Sequence, residues 1–202
     1  MPRSFIADET INRNGAAVSN TVYRIPEQLG KIPIEGKTFF FDTNVWIFLF
    51  HPCPTPGDRR VERYSQLYKA ILTNGGKVAI DLLVVAEYIN VYLKSYYNSV
   101  FEGSKEYPNY KAFRCSDDYI EVATTVSDEL YHIAKDAERL NTDFKTLDLD
   151  QTIDKFKGMS ADFNDVSYWA LCKLNNLILV SDDADCAFSD IDIVTANAKL
   201  KC

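Results

Sequence analysis

The sequence is poor in the residues on which several common chemistries depend. It has two histidines, His51 and His132, and neither stands in a metal-ligand spacing or near the other, so a zinc centre and a histidine acid–base pair are not indicated. Its five cysteines, Cys53, Cys115, Cys172, Cys186 and Cys202, are odd in number and contain no C-x-x-C pair. That argues against a disulfide framework and fits a reducing, cytoplasmic setting. Basic residues are outnumbered, with 22 Lys and Arg against 29 Asp and Glu and a net charge of -7, which argues against broad non-specific nucleic-acid binding but leaves room for a local basic patch. The longest apolar run, Phe39 to Phe50, is broken by Asp42 and is too short to span a bilayer. Met1-Pro2-Arg3 leads into polar sequence, so no targeting or membrane segment is expected.

What is present is enough apolar matter for one sizeable core: 47% hydrophobic and 13% aromatic residues over 202 positions. The chain is organised around TFFFDTNVWIFLF, Thr38 to Phe50, where a strand-like run of three phenylalanines delivers Asp42-Thr43-Asn44 into a second apolar run. Asp42 could simply cap that helix. A charge set between two segments that must be buried nevertheless needs a hydrogen bond, a partner or a cation.

Residues 1–37 are polar and rich in turn-formers (Asn14-Gly15, Pro26, Gly30, Pro33, Gly36) and read as an extended arm with little structure of its own, leaving 38–202 as the folded domain. Strand 1, Thr38 to Phe41, leads to a short helix through Phe50 and a proline-rich loop, His51 to Gly57. Asp58 caps a helix to about Asn74 with Val61, Tyr64, Leu67 or Tyr68, and Ile71 on its apolar stripe, and Arg59, Arg60, Arg63 and Lys69 on the other face. Val78 to Ile80 is strand 2, after which Asp81 caps a helix carrying Glu87. Ser95 to Arg114 reads as the tail of that helix and a loop. A long helix from Ser116 has Ile120, Ala123, Val126 or Ser127, Leu130, Ile133 or Ala134, Ala137 and Leu140 on one face, and Phe144 to Leu147 is expected as a short strand, followed by a helix from Asp150 to Lys157. Asp162 to Asp165 opens a helix to about Asn176, Leu177 to Val180 is a strand ending in Ser181-Asp182-Asp183-Ala184-Asp185, and Ile191 to Val194 is expected at the sheet edge. Strands alternating with helices imply a mainly parallel sheet, whose sites lie beyond the carboxyl ends of the strands.

Asp42, Glu87, Asp165 and Asp183 each follow a strand or open a helix, so a right-handed parallel fold can bring them to one rim. Four carboxylates with no basic partner in their segments repel one another unless divalent cations neutralise them, and hard oxygen donors suit Mg²⁺ or Mn²⁺. Such ions are used to hydrolyse phosphate esters. A haloacid-dehalogenase-like phosphatase would also place an Asp after strand 1 but needs a second one where Asn44 stands.

Taken in order, Asp42-Thr43-Asn44, Asp81 six residues before Glu87, Asp162-x-Asn164-Asp165 and Ser181-x-Asp183-x-Asp185 resemble the PIN domain family, which includes the VapC-type ribonucleases, over roughly Thr38 to Thr195. The interval of 18 positions from Asp165 to Asp183 matches that family's third and fourth acids. The resemblance implies a three-layer α/β/α sandwich with a mainly parallel central sheet, and Mg²⁺- or Mn²⁺-dependent endonucleolytic cleavage of RNA. It gives Asp42, Glu87, Asp165 and Asp183 the catalytic and metal-binding positions, with Asn44 and Ser181 as orienting groups and Asp162, Asn164 and Asp185 as neighbours. It further implies a toxin–antitoxin setting, with an antitoxin protein and a second copy of the chain as expected partners. Arg59, Arg60 and Arg63 are the candidate RNA contacts. The alternative is a catalytically inactive PIN-like domain that binds RNA or protein. The arm to Gly36 and the long Ser95 to Leu140 region are additions to the compact toxin pattern.

Overall fold

The computed structural model describes residues 21–50, 57–140, 145–158, 161–186, 188 and 190–200. The expectations for 1–20, for the loop at 51–56 and for Phe144 fall outside the described residues. The order is β1 (Val22–Arg24), β2 (Thr38–Phe41), α1 (Thr43–Phe50), α2 (Arg59–Thr73), β3 (Lys77–Ile80), α3 (Leu82–Val100), α4 (Tyr110–Phe113), α5 (Asp117–Asp136), β4 (Ala137–Arg139), α6 (Leu149–Gly158), α7 (Phe163–Asn175), β5 (Ile178–Val180) and β6 (Ile193–Thr195).

Phe39, Phe40 and Phe41 are fully buried, as a strand covered on both faces requires, and β2 lies inside the sheet. The sheet order is β1-β6-β5-β2-β3-β4 and every pairing is parallel, giving the expected three-layer α/β/α sandwich. From β2 the chain moves to β3 and β4 on one side, and it returns through β5 and β6 on the other. The carboxyl ends of β2 and β5 therefore flank the point where the direction of winding changes, the crevice where open α/β sheets bind ligands. Phe41 pairs with Val180 across that crevice, and the Asp42 amide extends the ladder by donating to the Val180 carbonyl at 2.9 Å.

The helix starts follow their caps. Asp58, Asp81, Ser116 and Asp162 each accept a backbone N–H of the helix they precede. Helix α2 ends at Asn74, and the turn into β3 needs two glycines for different reasons: Gly75 has φ 74°, and a side chain on Gly76 would meet Ile34 Cγ2 at 2.8 Å.

Five expectations are corrected. Residues 21–37 contribute β1, which pairs with β6, and a 3₁₀ turn at Leu29–Lys31, and they bury Ile25 and Ile32 in the core. A three-residue strand followed by proline carries almost no periodic signal, and only pairing with β6 makes it a strand. Consequently β6 is an inner strand, not the edge. The long helix stops at Asp136, and Ala137–Arg139 becomes β4, while Lys145–Leu147 is a turn and bend. Ala-Glu-Arg prefers helix locally, but pairing with β3 and the Leu140 N–H bond to the Ile80 carbonyl override that preference. On α5 the buried face is Val122, Val126 and Ile133, and Ile120 is exposed.

Candidate active site

The site grows from the β2–β5 crevice. Strand β2 delivers Asp42, whose carbonyl accepts the Val45 and Trp46 amides of α1 and whose side chain is 4% exposed. Its Oδ2 accepts Asn44 Nδ2 at 2.7 Å and Ser181 Oγ at 2.6 Å, so both residues expected as orienting groups touch Asp42. Ser181 is itself fully buried at the end of β5 and accepts the Asp183 amide at 3.0 Å, which ties the following loop to the same point.

Helix α3 carries Glu87 to the site. Its Oε2 accepts the Thr43 hydroxyl at 3.0 Å and the Tyr168 hydroxyl at 2.5 Å, and those two hydroxyls lie 3.2 Å apart. Helix α7 supplies Asp165 from its first turn. Asp162 caps that turn by accepting the Asn164 and Asp165 amides, while Asp165 Oδ2 accepts the Asp162 amide in return, a reciprocal capping box. Asp165 is 8% exposed, and Asp162 sits outside it in the capping role that its position suggests. Asp183 accepts the amide of the exposed Asp185 in a tight turn.

Electrostatics follow from this packing. Burial, with the added charges of Asp165 and Glu87 and against the Ser181 hydrogen bond, pushes Asp42 up to about 7. Burial and the charges of Asp162 and Asp183 push Asp165 up to about 6. No cation is among the main contributions to either shift. Oxygen atoms of Asp42 and Asp165 and the sulfur of Cys186 all lie within 4.8 Å of one another. Glu87 and Asp183 stand around this pair and are felt through their charges.

A profile of the PIN domain family matches residues 39–194. The chain belongs to the PIN domain family. Among solved structures it is similar to a chain of VapBC2 from Rickettsia felis, crystallised with a DNA fragment from their promoter, at 13% identity over 78% of this chain and 98% of that one, with a TM-score of 0.51. It is also similar to a chain of FitAcB from Neisseria gonorrhoeae at 18% identity, covering 77% of this chain and 96% of that one, with a TM-score of 0.46. No curated protein matches the chain.

In this PIN domain the donor set fits a hard divalent cation: two buried carboxylates, each raised by the other acids, with further carboxylates around them and no ion pair among the described residues that involves Asp42, Glu87, Asp165 or Asp183. Cys186 completes the group: burial and the neighbouring acids push its thiol above its usual range, and the S–H donates to Asp165 Oδ1 at 3.6 Å.

The arginines are placed less simply. Arg60 binds Asp58 at 2.6 Å and Asp182 at 3.3 Å, with its guanidinium 4.4 Å from the centre of the Phe48 ring. Arg63 donates to the Ala196 carbonyl at 3.4 Å, and Arg59 is exposed. Sequence reasoning singled out neither Tyr168 nor Cys186. Tyr168 was detectable, because it follows Asp165 by three positions and so shares its face of α7; a lone cysteine gives no such signal.

Proposed function

We propose that this PIN domain is an endoribonuclease dependent on Mg²⁺ or Mn²⁺. The observation that carries the reading is Asp42: a buried carboxylate at the winding-reversal point, pushed up to about 7 by burial, Asp165 and Glu87, and given no cationic partner. Nothing in folding requires that arrangement, and an apolar side chain there would be less costly. Asp42 and Asp165 would hold the ion, with Glu87 and Asp183 completing the carboxylate set. When bound, such an ion supplies activation of water and charge stabilisation at a phosphodiester.

The rest of the arrangement keeps the carboxylates in place beforehand. Asn44 and Ser181 fix one oxygen of Asp42, Thr43 and Tyr168 fix one oxygen of Glu87, and the Asp162 capping box fixes Asp165. Preorganisation of this kind spares the site a rearrangement during reaction. Of the two histidines, His132 is exposed on α5 and His51 lies outside the described residues. RNA phosphates would approach over the start of α2, where Arg59 is exposed.

The test is to incubate the protein with single-stranded RNA and Mn²⁺ and determine the cleaved ends. Direct hydrolysis gives 5′-phosphate and 3′-hydroxyl ends and stops with EDTA. Cyclic 2′,3′-phosphate ends that persist in EDTA would refute the reading, and RNA bound but never cut would favour the inactive binding domain. We also propose a protein antagonist, because the similar Rickettsia felis structure is of a VapBC2 complex. If a small neighbouring gene encodes it, cells should tolerate this protein only when that gene is co-expressed.

A further inference from the structure

The residue beside Asp183 is an acid of a different kind. Asp182 is 9% exposed at its side chain, and all of its polar groups are engaged. Its amide donates to Asn44 Oδ1 at 3.2 Å, its carbonyl accepts Asn197 Nδ2 at 2.6 Å, its Oδ1 accepts the Tyr64 hydroxyl at 2.8 Å, and its Oδ2 meets Arg60 at 3.3 Å. These partners come from α1, from the segment after β6 and from α2. Tyr64 is fully buried, stacks on Phe48 at 5.8 Å, and accepts the Ala196 amide at 2.9 Å, so the anchor is itself held from several sides.

Two consequences follow from the geometry. The Asp182 side chain is committed to Tyr64 and Arg60 on α2, while the next amide, that of Asp183, donates to Ser181 Oγ and that hydroxyl donates to Asp42. The same Asn44 that accepts the Asp182 amide donates to Asp42 Oδ2. Asp182 thus clamps the loop on both sides of the Asp42 carboxylate.

We propose that Asp182 is a positioning residue for the acidic site, fastening the loop after β5 to α1, α2 and the segment after β6 so that Ser181 and Asp183 are held against Asp42. The role assigns Arg60 to the same clamp through its contact with Asp182, and so takes it out of the candidate phosphate contacts. The inference rests on the reading of the carboxylate cluster as a divalent-cation site, and it adds to that reading a residue that touches neither the cation nor substrate.

The experiment uses the full chain and Mn²⁺ alone, with affinity followed by the loss of the free-ion paramagnetic signal, and with amide hydrogen exchange measured on the metal-free protein. Asp182→Ala is expected to weaken Mn²⁺ binding roughly tenfold to a hundredfold, the usual range for groups that orient ligands. It should also speed exchange in the 180–186 segment while leaving β2 and β3 protected. Asp182→Asn keeps an acceptor for Tyr64 and should recover most of the affinity, and Arg60→Gln, on a half-exposed side chain, should give a loss of about the same size as Asp182→Asn. If Asp182→Ala does not fold, hydrogen exchange of the 180–186 segment in Arg60→Gln carries the test: exchange faster than in the wild type supports the clamp, and unchanged exchange overturns it. A wild-type protein that binds no Mn²⁺ overturns the nuclease reading and this role with it. A wild-type protein that binds Mn²⁺ while Asp182→Ala binds it equally well overturns the inference alone, as does a loss in Asp182→Ala that Asp182→Asn fails to recover.

Discussion

Asp42 and Asp190 are both carboxylates largely withdrawn from water, and the protein treats them in opposite ways. Burial would raise Asp190, but hydrogen bonds from Lys173 and Trp169 and the charge of Lys155 outweigh it and hold the group below its usual range. Lys173 lies 2.8 Å from Asp190, Trp169 Nε1 donates at 2.6 Å, and both lysines lie over the Trp169 ring. Around Asp42 there are hydroxyls, an amide and more acids, and its pKa moves up. Asp190 is given its cations by the fold, and the buried Asp81 is given backbone amides of the helix it caps. Asp42 is given no cation and stands among further acids, which makes it a candidate place for a cation from solution.

The largest effect separates the two acids by function. Asp42→Asn should reduce RNA cleavage by roughly three orders of magnitude or more, whereas Asp190→Ala should leave turnover within a few-fold of wild type. Comparable losses in the two variants, measured as kcat on one RNA, would erase the distinction.

The next is a pH series in EDTA, comparing each Asn variant with the wild type. Asp42 is about 7 when folded and near 3.8 when unfolded, so the folded state holds more protons between those values and its stability falls as pH rises through that window. Asn imitates the neutral acid, so Asp42→Asn should match wild type near pH 4 and exceed it by a few kcal/mol above pH 7. Asp190 runs the other way. Its depressed pKa adds stability above the unfolded value, lost as pH falls through the folded one, so the deficit of Asp190→Asn should shrink in acid. Denaturant melts at pH 4.5, 6 and 7.5 check the Asp42 sign, and melts carried below the unfolded value of 3.8 check that of Asp190.

Removing the Asp190 carboxylate altogether sharpens the structural side. Asp190→Ala strands the Trp169 N–H and two lysines, and should lower stability by about 1–3 kcal/mol. Asp162→Asn should be the mildest change, within a few tenths of a kcal/mol, because Asn caps as well as Asp. Its kcat should stay well above that of Asp165→Asn. The reverse order would exchange the roles of Asp162 and Asp165.

Much of the site was legible because its residues punctuate strong periodic segments. The three phenylalanines before Asp42 and the caps at Asp81 and Asp162 fix where strands end and helices begin, and a parallel sheet then brings those ends together. What was hidden depends on contacts distant in sequence. Strand β1 exists through β6, β4 exists through β3 against the local preference of Ala-Glu-Arg, and Asp182 differs from Asp183 only because Tyr64 and Arg60 wait for it on α2. The three arginines were visible as a basic face, but composition could not show that Arg60 and Arg63 are engaged within the chain.

The central claim is that the unpaired carboxylates form a cation site, and a Mn²⁺ titration followed by thermal melting tests it most directly. A ligand that binds only the folded state raises Tm with concentration. The account predicts a rising Tm for the wild type, the same increment for Asp190→Ala from its lower starting point, and a flat response for Asp42→Asn. A wild-type Tm indifferent to Mn²⁺, or an Asp42→Asn protein stabilised as much as the wild type, would contradict it.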